Sequence, residues 1–272
     1  MATVIKDLSS PELVPALENN MFEFWSTYGR ATGRGLYIGK DYIRVLTGIP
    51  FPIFNGVFRA QLSPETIDDA ISDTLAAIKT WKVPLFWWVG PGTQPSNLGE
   101  HLERHGFHYT GSMPGMAIDL SILKEDGPQP HNFTIRPVEN NETLETWVRV
   151  AAKGFDIPAS IHDSIVDLER SVGAGPDVSP RRYIGYQNGV PVATSGMFIH
   201  SGVAAICWVA TLPEARRQGI GAAMTRMPLI DARLKGYRVS TLVAMEMGHS
   251  VYKKLGFQDV CSISLYLAGS EL

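Results

Sequence analysis

The chain reads as an α/β protein built twice over. Three observations carry this. Apolar, β-branched runs of strand length alternate with stretches of helical spacing along the whole 272 residues. The stretch Ala204 to Leu234 runs as strand, glycine turn and helix. And the two halves echo one another: Leu102-Glu103-Arg104-His105-Gly106-Phe107 parallels Tyr252-Lys253-Lys254-Leu255-Gly256-Phe257. Each of these is preceded by a strand candidate, Val83 to Val89 or Ser240 to Met245, and succeeded by another, Gly115 to Ile122 or Ser262 to Leu267.

In the first half, Ser63-Pro64-Glu65-Thr66 reads as a helix start, with Ser63 as N-cap and Pro64 at the first position. That helix runs to about Lys82, with Ile67, Ile71, Leu75 and Ile78 on one face. Trp87-Trp88 could stack on an adenine, but large aromatics in such a strand more often pack in a core. The polar segment Glu125-Asp126-Gly127-Pro128-Gln129-Pro130 reads as a linker. The expected domains are therefore 1–124 and 131–272, joined by 125–130.

In the second half, Phe133 to Pro137 opens as a strand, and Asn141 to Phe155 is helical, with Leu144, Trp147, Val148 and Ala151 on one face. Ile157 to Val172 reads as a second helix. Arg181 to Gln187 and Val190 to Ile199 form a hairpin about Asn188-Gly189. Ala204 to Thr211 is the next strand, and Ala222 to Leu234 the next helix. Between these two lies Arg216-Arg217-Gln218-Gly219-Ile220-Gly221-Ala222. A strand-to-helix turn converges backbone N–H groups at a helix N-terminus, which suits a phosphate or pyrophosphate. Gly219 and Gly221 allow close approach of a ligand, and two arginines add positive charge. By itself, a two-glycine turn also occurs in many α/β proteins without a ligand.

Residues beyond the turn make it specific. A strand leads to a closing helix that carries Tyr252 just before Leu255-Gly256-Phe257, with Gly256 placed as its C-cap. Arg216, Gly219 and Gly221 resemble the Arg/Gln-x-x-Gly-x-Gly/Ala signature of the GCN5-related N-acetyltransferases (GNAT), and Tyr252 with Leu-Gly-Phe resembles their second signature. The resemblance covers residues 131 to 267, about half of the chain. It implies a mixed, mostly antiparallel sheet flanked by helices. With the internal echo, it implies a tandem whose first, degenerate member lacks the cofactor turn.

The resemblance also implies a chemistry. Acetyl-CoA would enter as acyl donor, with no metal. Val209, Ala210 and Thr211 would present backbone groups to its pantetheine arm, and Arg216, Arg217, Gln218, Gly219, Ile220, Gly221 and Ala222 would hold its pyrophosphate. Tyr252 matches the family's proton donor to the departing thiolate, and a phenol is protonated at neutral pH. The base is less defined. The strand Ala204 to Thr211 carries no Asp or Glu, which leaves Glu246 and His249 as candidates, although either could be a solvated loop residue. The Asn often found after the preceding strand is replaced by Met245-Glu246-Met247-Gly248.

Composition bounds the remainder. A net charge of −3 gives no basic footprint for nucleic acid. No apolar run reaches the roughly 20 residues of a membrane span, and Met1 to Asp7 lacks a signal-peptide core. Cys207 and Cys261 are expected as reduced thiols, and the scattered histidines do not group for zinc. The expectation is a cytoplasmic N-acyltransferase acting on a small-molecule amine, with a homodimer left open. A catalytically silent acyl-CoA sensor and an acyl-CoA decarboxylase are the alternatives.

Overall fold

The last strand of each half has changed places. In the computed structural model, which describes residues 3–127, 129–175 and 177–269, the chain divides into a larger unit (the chain up to Asn20 with Gly115–Val260) and a smaller one (Met21–Pro114 with the segment from Cys261). In chain order the elements are α1 (Leu13–Ala31), β1 (Leu36–Ile38), β2 (Ile43–Leu46), β3 (Asn55–Phe58), α2 (Ile67–Trp81), β4 (Leu85–Val89), α3 (Leu98–Arg104) and β5 (His108–Asp119). They continue with β6 (Phe133–Pro137), α4 (Asn141–Gly154), α5 (His162–Val172), β7 (Arg181–Gln187), β8 (Val190–His200), β9 (Val203–Thr211), α6 (Ile220–Leu234), β10 (Val239–Val243), α7 (Glu246–Leu255) and β11 (Gln258–Ala268).

In the larger unit the strand order is β5-β10-β9-β8-β7-β6, antiparallel throughout except for β9 with β10. The smaller unit orders β1-β2-β3-β4-β11, with only β3 and β4 parallel. Thus β5, from the first half, pairs with β10 from Gly115↔Val243 to Asp119↔Val239. Likewise β11, the last strand of the chain, pairs with β4 from Ser264↔Val89 to Ala268↔Leu85. The cut expected at 125–130 is therefore not where the units divide, and Pro128 of that segment lies outside the described residues. Both strands offer apolar residues at alternate positions (Met116 and Ile118; Ile263 and Leu265), and that pattern does not say which sheet they complete.

Local signals otherwise place the elements well. Asn188 at φ 51° and Gly189 at φ 80° are the left-handed pair of a type I′ hairpin turn. Asn140 caps α4: its Oδ1 accepts from the Thr143 N–H at 3.0 Å, and Thr143 Oγ1 accepts from the Asn140 N–H at 3.1 Å. Such a cap stabilises a helix by about 1 kcal/mol. Two helices start later than expected. Thr66 Oγ1 takes the Ser63 N–H at 3.0 Å and closes a turn, so α2 begins at Ile67 and Pro64 stays outside it. Pro158 holds Ile157 out of the helix, and a single tight turn at Ala159–Ile161 precedes α5.

The core of the larger unit joins Met116 and Ile118 of β5 to Met197, Ile206, Met224, Leu229, Leu242, Tyr252 and Phe257, bringing α6 and α7 onto the sheet. In the smaller unit Trp87 is fully buried among Val57, Ile71, Leu98 and Phe107, while Trp88 packs beside Trp25 and Phe58. Both tryptophans are core residues.

Candidate active site

Strands β9 and β10 touch only at their beginnings. The parallel pairs are Ala204↔Ser240 and Ala205↔Thr241. Beyond Ala205, β9 stays paired to β8 as far as Ala193↔Thr211, with no further pair to β10. The register of β8 against β9 shifts between Thr194 and Gly196, opposite Cys207, and Trp208 takes the left-handed φ of 51°. Such a bulge bends and twists its strand. One edge of Val209, Ala210 and Thr211 is thereby left without a ladder partner, and an extended ligand bearing amides can add to such an edge.

The edge leads directly into the glycine turn. After one tight turn at Pro213–Ala215, Arg217 (φ 63°) and Gly219 (φ 80°) adopt left-handed conformations, and α6 begins at Ile220. No side chain caps this helix. Its first-turn amides therefore have no intrahelical acceptor and none from a cap, and the helix dipole adds to their pull on an anion. A Cβ placed on Gly221 would meet only Thr211 Oγ1, at 3.9 Å, so the space in front of it is open. Arg217, Gln218 and Gly219 are exposed, and Gln218 Oε1 accepts from Gln187 Nε2 at 2.8 Å. Arg216 does something else: its Nε donates to Thr211 O at 3.0 Å and its Nη2 to Gly154 O at 3.2 Å, bracing the turn.

Tyr252 lies on α7 with its ring against Phe257 (centroids 5.9 Å apart). A Cβ on Gly248 would fall 2.8 Å from the Tyr252 ring, so glycine one turn earlier makes room for it. The phenol is buried, and its hydroxyl has no hydrogen-bond partner among the described residues. Burial, with a smaller contribution from Cys207, pushes its pKa up to about 12. Burial likewise raises the Cys207 thiol to about 12; Arg182 opposes this and Glu169 reinforces it. Neither Cys207 nor Cys261 is in a disulfide.

The two candidate bases lie on α7, the helix that carries Tyr252. Glu246 is exposed at the first position of α7, where a carboxylate favours the helix dipole. His249 Nε2 pairs with Asp259 Oδ1 at 2.8 Å, and Lys253 Nζ with Asp259 Oδ2 at 2.7 Å. Lys253, then His249, hold the Asp259 carboxyl below its ordinary range. Among the described residues neither candidate bonds to Tyr252, Cys207 or β9.

Sequence reasoning missed a buried group on the α4/α5 side of the sheet. Arg182 Nη2 meets Glu169 Oε2 at 2.5 Å, with both side chains 1% exposed. Arg182 also donates through Nη1 to Gly173 O and Pro180 O, and lies over the Trp147 ring at 5.6 Å. Trp147 donates from Nε1 to Ser195 O at 3.1 Å and stands edge-on to Trp208. Trp208 was detectable in sequence as the one aromatic residue in the β9 run.

The smaller unit closes the corresponding gap with its own backbone. There β3 and β4 pair in parallel at Gly56↔Phe86 and Val57↔Trp87. Farther along, Gln94 donates to Ala60 O and accepts from Leu62 N–H, each at 2.9 Å, and Gln61 donates from Nε2 to Gly92 O. The first turn of α2 carries Asp68 and Asp69, which disfavour an anion.

Among the described residues no group of three His, Cys, Asp or Glu could hold a metal ion, and no helix is long and apolar enough to cross a membrane.

Residues 180–259 match the model of the acetyltransferase (GNAT) domain. The fold of the whole chain is similar to that of a GCN5-related N-acetyltransferase from Kribbella flavida, at 18% identity over 94% of this chain and 96% of that one, with a TM-score of 0.72. It is also similar to a GCN5-related N-acetyltransferase from Sphaerobacter thermophilus (15% identity, 98% and 95% covered, TM-score 0.60). A third similar structure is a tandem GNAT protein from the clavulanic acid biosynthesis pathway (12% identity, 98% of both chains covered, TM-score 0.58). No curated protein matches the chain in sequence.

Proposed function

We propose that the larger unit transfers an acetyl group from acetyl-CoA to the amine of a small molecule by direct attack. One juxtaposition carries this reading: the uncapped α6 N-terminus adjoins the unpaired edge of β9, and Tyr252, whose hydroxyl has no hydrogen-bond partner among the described residues, lies in the same unit.

The residues fit the donor. The amides of Gln218 to Ala222 and the side chain of Arg217 hold a pyrophosphate, and the backbone of Val209, Ala210 and Thr211 pairs with the pantetheine amides. When bound, the thioester supplies an acyl carbon open to attack. The amine attacks in its neutral form, its proton passing to water, since neither Glu246 nor His249 is tied to the strand edge. The C–N bond forms, the C–S bond breaks, and Tyr252 gives its hydroxyl proton to the departing sulfur.

Burial raises the pKa of Tyr252 to about 12, so its hydroxyl is protonated at neutral pH and its proton is available to the departing sulfur.

Tyr252→Phe with acetyl-CoA and a panel of amines tests the reading. Product analysis should find acetylated amine and free CoA with the natural chain, and little of either with the variant. Unchanged turnover in the variant would remove Tyr252 from the mechanism. Acetyl-CoA binding without any product would leave a sensor.

A further inference from the structure

The side of β9 that faces α4 carries a group that acetyl transfer as such does not require. Trp208 is partly exposed and sits at the bulge, in a left-handed conformation that bulky residues rarely adopt. Its ring stands edge-on to Trp147 (centroids 6.2 Å apart, planes at 80°) and to Phe155 (5.4 Å, 75°). Trp147 is itself fixed by the Nε1 bond to Ser195 O and by the Arg182 guanidinium over its ring. Arg182 is neutralised by Glu169, so the cluster presents no uncompensated charge. Phe155 is the C-cap of α4, directly after its last residue.

Trp208 directly precedes the unpaired edge of Val209 to Thr211, so this aromatic cluster borders the cleft assigned above to the acyl donor. The three rings offer no hydrogen-bond acceptor to a polyhydroxylated or polycationic acceptor, and the buried Glu169 carboxylate is held by Arg182. Aromatic faces and edges favour apolar rings and the carbon next to a cationic nitrogen. We infer that Trp208, braced by Trp147 and Phe155, is a specificity-determining residue for the acceptor, and that the acceptor is a primary amine carried on an aromatic or apolar carbon skeleton.

This inference rests on the acetyl-transfer reading, and its test keeps the two apart. Phenethylamine, glucosamine and spermidine would be offered with saturating acetyl-CoA. The expected result is a kcat/KM at least about tenfold higher for phenethylamine, with Trp208→Ala raising its KM about tenfold while the Kd for acetyl-CoA stays within about twofold. Trp208→Phe should recover most of the loss, which a merely misfolded site would not show. Preference for glucosamine or spermidine, or an unchanged KM in Trp208→Ala, would overturn the inference while leaving acetyl transfer intact. If acetyl-CoA binds but no amine is acetylated, the proposed activity fails, and calorimetry of phenethylamine with the CoA-loaded protein decides the aromatic wall separately. Binding that is weakened in Trp208→Ala supports it, and absence of binding overturns it.

Discussion

Arg216 donates to the carbonyl oxygen of Gly154 at 3.2 Å, linking the start of the glycine turn to the last residue of α4. The same guanidinium holds Thr211 O at 3.0 Å. The arginine of the signature thus shapes the turn from behind. Arg216→Ala should cost about 1–3 kcal/mol of stability, because two backbone acceptors lose a charged donor. It should also weaken acetyl-CoA binding, since the turn loses its brace. Thermal denaturation and calorimetry measure the two effects, and an unchanged melting temperature would contradict the bracing role.

Gly221 offers a cleaner probe of the phosphate cradle. Space is open in front of it, and its helical conformation suits any residue, so Gly221→Val should leave the fold nearly as stable as before. Acetyl-CoA affinity should fall about tenfold or more, as the side chain occupies the space of the pyrophosphate. Gly219→Ala differs, because φ 80° at that position strains any residue with a Cβ and costs about 1 kcal/mol of stability.

Tyr252→Phe should lower kcat by about a hundredfold or more while the Kd for acetyl-CoA changes little. The raised pKa of the phenol sets the pH behaviour. Tyr252 stays protonated well above neutrality, so the rate should climb with pH as the amine loses its proton, with no fall from Tyr252 until near pH 12. Stability runs the other way. The neutral phenol contributes fully below pH 10.0, the ordinary tyrosine value, and the contribution is lost as pH rises toward about 12, where the folded state also ionises. Alkaline denaturation should therefore be shallower in Tyr252→Phe than in the natural chain.

The Glu169–Arg182 pair should be costly to break from either side. Glu169→Ala or Arg182→Ala strands a buried charge and should destabilise by about 3–5 kcal/mol. Denaturant unfolding of the single and double variants measures this, and the double variant should lose less than the sum of the two singles.

Calorimetric titration with acetyl-CoA should give one site per chain. The smaller unit lacks the glycine turn, and Gln94 fills the gap beyond its parallel strand pair. Two sites would show that this closure opens in solution.

Much of this protein is written in short stretches of sequence. The Asn188-Gly189 hairpin, the turn at Gly219, the Gly256 cap and the Tyr252 helix each depend on spacing within a few residues, where backbone sterics and periodicity act directly. Two such local motifs also carry the family resemblance of the larger unit. The tertiary structure decided what depends on distant partners. Strands β5 and β11 exchange sheets because their alternating apolar faces fit either one, and long-range pairing selects. Arg216 became a brace because the Gly154 carbonyl, 62 residues away, is in reach. Glu169 met Arg182, and Trp208 met Trp147 and Phe155, only once α4 and α5 had packed on the sheet. Local propensity is a property of neighbours in the chain, whereas a cleft, a buried ion pair and an aromatic wall are properties of neighbours in space.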